Sequence, residues 1–349
     1  MIIGNRKIGP EYKPFIIAEA GINHNGDLET AFKMIEVAKK IGFEAVKFQT
    51  FHADEFNIDD TATYTYTSQG KIVTESMLEM FQRYEFSIEE WYKIKKKCDD
   101  EHIIFLSTPQ NKTDLDILLE IGVPAIKVGS DDFTNIPLVR EYSRVGLPLM
   151  LSVGMAEMGE ICKTLEVVDA FSRDDVLLFL CTSEYPTPPE NVNLRKLSTL
   201  KAAFPSVDLG FSDHTAGTIA ASVAVGFGAC VFEKHFTLDN NMSGPDHWFS
   251  ADPEILRKWY DSINEAWIML GRAELVPTAK EREMRRLARR SIYLTRDIKA
   301  GEKITLDKIG LYRPNTGIEG SMWDMVDGMC ASRDLKKGTA LHWGDFRDG

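Results

Sequence analysis

The chain is poor in the features that mark secreted, membrane-bound and metal-knuckle proteins. Its five cysteines, at positions 98, 162, 181, 230 and 330, are odd in number and form no CxxC pair. That leaves little support for a disulfide framework or a structural zinc knuckle. No HExxH or HxH motif occurs, no GxGxxG follows the first strand-like run, and no apolar run reaches membrane-spanning length. The opening MIIGNRKIGP lacks the hydrophobic stretch and small-residue site of a signal peptide, so a cytoplasmic address is expected. Positive charge is also scarce: 41 Lys and Arg against 53 Asp and Glu leave a formal net charge of −12, so neither nucleic acid nor a membrane surface is expected as a partner. An anionic substrate would need its positive charge gathered locally.

What is present is a repeated alternation. Short β-rich runs, FIIAEA, AVKFQT, IIFLST, AIKVGS, LPLMLSVG, VLLFLCT, VDLGFS and ACVFEKHF, are separated by amphipathic segments such as LETAFKMIEVAKKI, where Ala31, Met34, Ile35, Ala38 and Ile41 recur at helical spacing. Ser87 with Glu90 fits a capping box, and Asp252 followed by Pro253 an N-cap with a first-turn proline. Eight β-α units over residues 1–271 predict a (β/α)8 TIM barrel, with a doubly wound sheet as the alternative. The long polar connection from Phe51 to Phe86, containing TATYTYTSQGK, would lie over the strands' C-terminal mouth, as a substrate-contacting lid or as a plain surface excursion. Residues 272–289 form a charged linker that ends in a short basic helix. Residues 290–349 carry an internal repeat, TRDIKAGEKITLDKI and SRDLKKGTALHWGDF, which predicts a small, pseudo-symmetric, β-rich domain.

In such a barrel the active site is built where strands hand over to the βα loops. The strand ends here carry Glu19, Asn23 and His24; Lys47, Gln49 and Thr50; Ser107 and Thr108; Lys127, Ser130, Asp131 and Asp132; Ser152; Thr182, Ser183, Glu184 and Tyr185; Ser212, Asp213 and His214; and Glu233, Lys234 and His235. Lys47 and Lys127 stand inside β-runs, where a charge is costly to bury without an anion. Each could run its stem to solvent, serve as a Schiff-base lysine, or, with Thr108, Ser130, Ser152, Ser183 and Ser212, help form a phosphate or carboxylate pocket. His214 and His235 occupy matching offsets on consecutive strands, which favours one shared divalent ion such as Mn²⁺, Co²⁺ or Zn²⁺. Glu19, Asp132, Asp213, Glu233 and Asp246, the last in the loop SGPDHWF, are candidate bases or hydroxyl binders, or else salt-bridge partners of the lysines.

The motifs EAGINHNGD, AVKFQT, FLSTP, GLPLMLSVGM, CTSEYPTP, GFSDHT and EKHFTLDNNMSGPDH, in this order, strongly resemble the sialic acid synthase family, which includes N-acetylneuraminate, legionaminate and pseudaminate synthases. The C-terminal repeat with YRPNTG is similar to the antifreeze-like (SAF) domain those enzymes carry. The resemblance implies condensation of phosphoenolpyruvate with the aldehyde of an N-acylated hexose, N-acetylmannosamine as first choice and a diacetamido-trideoxy hexose as alternative. It implies a bound divalent metal, Mn²⁺ foremost with Co²⁺ or Mg²⁺ as substitutes, on His214 and His235. Phosphoenolpyruvate would be held by Lys47, Thr108, Lys127, Ser130, Ser152, Ser183, Tyr185 and Ser212. Glu19, Lys47 and Lys127 would be catalytic, and Gln49, Asp132, Glu233, Asp246 and Arg313 would meet the sugar. Arg313 would reach into a partner's barrel, in a domain-swapped homodimer. Three positions depart from the family pattern: Asp131-Asp132 where Gly-Glu is frequent, Leu180 for histidine and Gln110 for an aromatic. A class I aldolase, and a vestigial barrel carrying a glycan-binding domain, are the rival readings.

Overall fold

The computed structural model describes residues 1–56, 59 and 61–347. Three positions of the 51–86 connection and the last two residues of the C-terminal domain lie outside the described residues. The chain divides into two compact units, 1–271 and 272–349.

Eight parallel strands form the first unit: β1 Phe15–Gly21, β2 Ala45–Thr50, β3 Ile104–Pro109, β4 Ile126–Val128, β5 Leu149–Ser152, β6 Val176–Leu180, β7 Asp208–Ser212 and β8 Val231–His235. They are hydrogen-bonded in the order β3-β2-β1-β8-β7-β6-β5-β4, and β3 and β4 lie against each other without a ladder, so the sheet is a nearly closed barrel. Helices α1 Leu28–Ile41, α2 Ile88–Asp100, α3 Lys112–Ile121, α4 Ile136–Ser143, α5 Met158–Val167, α6 Arg195–Ala203, α7 Ile219–Gly226 and α8 Pro253–Leu270 each follow one strand. The expected caps are there: Ser87 and Glu90 make a reciprocal capping box on α2, and Asp252 accepts from Ile255 N at the head of α8.

Period-two alternation then sorts each strand into two faces. Ile16, Ala18, Val46, Phe48, Leu149 and Leu178 turn outward to pack beneath the helices. Phe15, Ile17, Ala45, Leu106, Ala125, Met150, Leu177, Phe179 and Val231 fill the interior, where Ile3 and Ile8 of the N-terminal segment join them. Continuing the inward face by two residues gives Glu19 after Ile17, Lys47 after Ala45, Thr108 after Leu106, Lys127 after Ala125, Ser152 after Met150 and Glu233 after Val231. The barrel interior therefore changes from hydrocarbon to charged and hydroxyl groups within one layer, at the C-terminal ends of the strands.

The 51–86 connection contains a two-stranded antiparallel hairpin, Thr63–Ser68 with Lys71–Ser76. Gln69 and Gly70 form its turn, with φ of 51° and 73°, the paired positive values that two-residue hairpins prefer.

In the second unit, α9 Ala279–Ala288 starts at a Thr278–Glu281 capping box. The antiparallel strands β9 Ser291–Leu294 and β10 Ile309–Tyr312 follow. The internal repeat is visible as reciprocal contacts. Lys299 donates to Asp334 at 2.7 Å and Lys336 to Asp297 at 2.8 Å, while Ile298 and Leu335 bridge between the two copies. Ile292, Leu294, Ile298, Ile304, Leu335 and Leu341 pack beneath as a separate core.

Candidate active site

Two lysines organise the barrel mouth. Lys47 Nζ lies 2.8 Å from Glu19 Oε2 and 3.5 Å from Glu233 Oε2, and donates to Thr108 Oγ1 at 3.0 Å. Lys127 Nζ donates to Ser152 Oγ at 2.6 Å and to the Val128 carbonyl at 3.0 Å, above the face of Phe179. Both lysines, Glu19, Glu233, Thr108, Ser152 and Ser212 are buried. Neither lysine runs its stem out to solvent.

Burial and mutual charge split the two carboxyls. Desolvation pushes Glu19 up to about 8, with Lys47 opposing it only in part. Burial acts on Glu233 in the same direction, but Lys47, Lys127 and the Ser212 hydroxyl, which donates to Oε1 at 2.9 Å, pull it down to about 2. Burial lowers Lys127, whereas for Lys47 the two carboxylates outweigh burial and hold the ammonium above its ordinary value. One acid that keeps its proton near neutrality beside one that stays ionised is the division of labour that acid–base sites use.

The two histidines are brought together. The His214 and His235 rings lie 5.6 Å apart, a separation that one divalent ion can bridge. His214 Nδ1 donates to the Thr182 carbonyl at 2.7 Å, which leaves the Nε2 lone pair free apart from a distant Ser212 hydroxyl at 3.4 Å. His235 Nδ1 is buried without a hydrogen-bond partner among the described residues. Burial holds both imidazoles below their ordinary pKa, in the neutral form a ligand needs. No third His, Cys, Asp or Glu completes a cluster among the described residues, so the pair fits an ion that takes its other ligands from elsewhere. Gly21 sits at φ +53° after a register shift in β1, a left-handed conformation that favours glycine, beside Glu19 and His235.

Beside this layer opens a cavity of about 390 Å³ lined by Gln49, Ser183, Tyr185, His235 and Asp246, with Tyr64 and Tyr66 of the inserted hairpin. Tyr185 packs on His214, with ring centroids 4.2 Å apart. Asp246, pushed up to about 7 by burial, has no hydrogen-bond or ion-pair partner for its carboxylate among the described residues.

Other residues singled out from the sequence stand elsewhere. Asp132 accepts from Asn135 within its own loop at 2.9 Å, and Asp131 folds back over Gly129. Glu233 meets Ser212 and the lysines and does not line the cavity. Arg313 belongs to the second unit, exposed just after β10. Leu180 has the outward parity of Leu178, so it faces the helical layer and a neighbouring cavity of about 550 Å³.

Gly154 was not singled out from the sequence. A β-carbon there would lie 2.5 Å from both Ser130 Oγ and Ser183 Oγ and 2.9 Å from Cys181 Sγ, while its N–H donates to Ser130 at 3.1 Å. The obstructing atoms are rotatable side-chain ends, so Gly154→Ala should fold with little change in Tm. With Ser130 and Ser183 holding phosphoenolpyruvate as the resemblance implies, it should raise the KM for that substrate about tenfold, because two hydroxyls must turn away. Steady-state kinetics beside a melting curve checks both halves.

A nearly closed parallel barrel whose mouth gathers two buried lysines, a carboxyl pair and a histidine pair defines an enzyme of the TIM-barrel class. Residues 34–275 match the NeuB family and residues 289–347 the SAF domain. The chain is 38% identical to the N,N'-diacetyllegionaminic acid synthase of Legionella pneumophila, covering 97% of this chain and 98% of that one. It is 33% identical to a pseudaminic acid synthase of Campylobacter jejuni, over 99% and 100%. The crystal structure of N-acetylneuraminic acid (sialic acid) synthetase from Leptospira borgpetersenii superposes with a TM-score of 0.73 at 33% identity, over 81% of this chain and 94% of that one. This chain belongs to the NeuB family of sialic, legionaminic and pseudaminic acid synthases. Among the described residues, no helix is long and apolar enough to cross a membrane.

Proposed function

We propose that the chain joins C3 of phosphoenolpyruvate to the aldehyde carbon of an open-chain N-acylated hexose, with water adding at C2 and phosphate leaving, to give a nonulosonic acid. The observation that carries this reading is the layer of Lys47, Lys127, Thr108, Ser152 and Ser212, a buried anion cradle opening beside a cavity of sugar size. The alternative of a Schiff-base aldolase has no support among the relatives.

Lys47 and Lys127 would hold the phosphate and carboxylate groups, with Ser130, Ser183 and Tyr185 around them. Glu19, protonated up to about pH 8, would exchange a proton with the water that adds at C2. His214 and His235 would hold a divalent ion, Mn²⁺ for preference, whose chemistry is to polarise the aldehyde oxygen. Gln49 and Asp246 would bind hydroxyls and orient the acceptor. Arg313 would complete the acceptor site of a partner subunit in a domain-swapped homodimer.

For the acceptor we favour a 2,4-diacetamido-2,4,6-trideoxy hexose over the N-acetylmannosamine expected from the sequence. Ile22, Met80, Phe81, Trp248 and Phe249 give the cavity an apolar lining suited to a methyl at C6 and a second acyl group. The relative at 38% identity is named for the diacetyl product. Phosphate release from phosphoenolpyruvate with Mn²⁺, run with each sugar, tests both levels. Release with the trideoxy sugar at the higher kcat/KM is expected, preference for N-acetylmannosamine would reverse the acceptor assignment, and no release with either would overturn the reaction.

A further inference from the structure

The inserted hairpin does not behave as a surface excursion. On its first strand Tyr64 and Tyr66 alternate with Thr65 and Thr67, so both rings share one face; they stack at 5.9 Å with 27° between planes, and that face lines the cavity holding Gln49, Tyr185, His235 and Asp246. The other direction is solvent, where Ile72 is 80% exposed.

The hairpin is also tied down. Gln69 donates to the Asn241 carbonyl at 3.0 Å and Gly244 N donates to Ser68 Oγ at 3.2 Å, joining the hairpin tip to the loop that carries Asp246. Tyr66 donates its hydroxyl to Glu75 Oε1 at 2.6 Å, and Arg83 donates to the same oxygen at 2.7 Å. The Tyr66 ring is therefore fixed and its polar end already used. Tyr64 differs: its hydroxyl has no hydrogen-bond partner among the described residues, and it lines the same cavity as Asp246, while burial first and the Asp246 charge second raise its pKa.

We infer that the Tyr64–Tyr66 face of this hairpin is the wall that selects the acceptor sugar, Tyr66 contributing its ring alone and Tyr64 its ring together with a hydroxyl that shares a sugar oxygen with Asp246. The inference rests on the reading that this cavity takes the acceptor. Two rigid aromatic faces suit the C–H face of a carbohydrate chain and its acyl methyls at little cost in side-chain entropy, and the free hydroxyl and carboxyl suit one donor–acceptor oxygen between them. The hairpin carries none of the lysines, histidines or hydroxyls of the anion cradle, so it should act on one substrate only.

The test is steady-state phosphate release by the full-length protein, with the acceptor varied at saturating phosphoenolpyruvate and the reverse, for Tyr64→Phe, Tyr64→Ala, Tyr66→Phe and Tyr66→Ala. Tyr64→Ala and Tyr66→Ala should each raise the acceptor KM about tenfold, leaving the phosphoenolpyruvate KM within about twofold of wild type. Tyr64→Phe should raise the acceptor KM about threefold to tenfold for one lost hydrogen bond, while Tyr66→Phe stays near wild type because that hydroxyl faces Glu75. Melting curves identify any variant that fails to fold, and the two phenylalanine variants, which keep the ring, then decide the case. An unchanged acceptor KM in Tyr64→Phe and both alanine variants, or a parallel rise for both substrates, would overturn the inference and leave the synthase reading intact. A wild type that releases no phosphate with any N-acylated hexose would overturn that reading, and the inference with it.

Discussion

Lys47→Met is expected to reduce phosphate release about a thousandfold, the scale on which losing one preorganised electrostatic group acts, and to destabilise the protein by about 3–5 kcal/mol, as breaking a buried ion pair does. The two effects share a cause. Lys47 is the only cation within ion-pair distance of Glu19 and Glu233 among the described residues, and all three are buried. Removing it leaves an ionised Glu233 with only the more distant Lys127 to oppose it. Glu19 answers by keeping its proton. The double variant Lys47→Met, Glu19→Gln should therefore recover part of the lost stability and none of the activity. Equal melting temperatures for Lys47→Met and wild type would show that the lysine charge is not paired in solution as it is here.

The same triad sets a pH dependence. Glu19 has a folded pKa of about 8 against an ordinary 4.5, so between those values the unfolded chain has released a proton that the folded chain still holds. Its contribution to stability is fully present below about pH 4.5 and is lost progressively as the pH rises to about 8. Asp246, at about 7 against 3.8, acts in the same direction over an overlapping window. Melting temperature should fall from pH 5.5 to pH 8.5, and Glu19→Gln should flatten that fall. An identical slope in the variant would mean that Glu19 is ionised in the folded protein at neutral pH.

The barrel was legible because its strands alternate cleanly and each changes from apolar to polar at the same end. That Lys47 and Lys127 need polar partners was legible for that reason, since a charge inside a β-run is costly to bury alone; that Glu19 and Glu233 are the partners of Lys47 was one of several readings. The hairpin was not legible in the same way. Tyr and Thr are both good strand formers, so TYTYTS has the right period, but the polar count of the whole 51–86 stretch masked it. Gln69-Gly70 between the alternating run TYTYTS and the equally long KIVTES was the signal available. Leu180 takes the outward face, as counting in twos from Leu177 and Phe179, both inward, requires. The opposite shifts of Glu19 and Glu233 lie beyond any sequence pattern, because they depend on burial outweighing Lys47 at Glu19, while Lys47, Lys127 and the Ser212 hydroxyl together outweigh it at Glu233.

His214→Ala and His235→Ala should each abolish chelator-sensitive turnover, with residual phosphate release down about a thousandfold, in keeping with the several kcal/mol a Lewis acid supplies. The structural ground is that each ring already has one nitrogen committed or sealed off from water. His214 is aimed by the Thr182 carbonyl, a backbone partner that fixes the ring plane and its tautomer, and His235 Nδ1 is buried without a partner among the described residues. A buried imidazole nitrogen left unpaired is costly unless something occupies its lone pair or accepts its proton. Titrating Mn²⁺ into the protein and following the free ion by electron paramagnetic resonance reads this without reference to activity: wild type should bind one equivalent, and each alanine variant should bind at least tenfold more weakly. Wild-type affinity in both variants would take the ion away from this pair, and the unpaired His235 nitrogen would then have to be explained by an ordered water or by substrate.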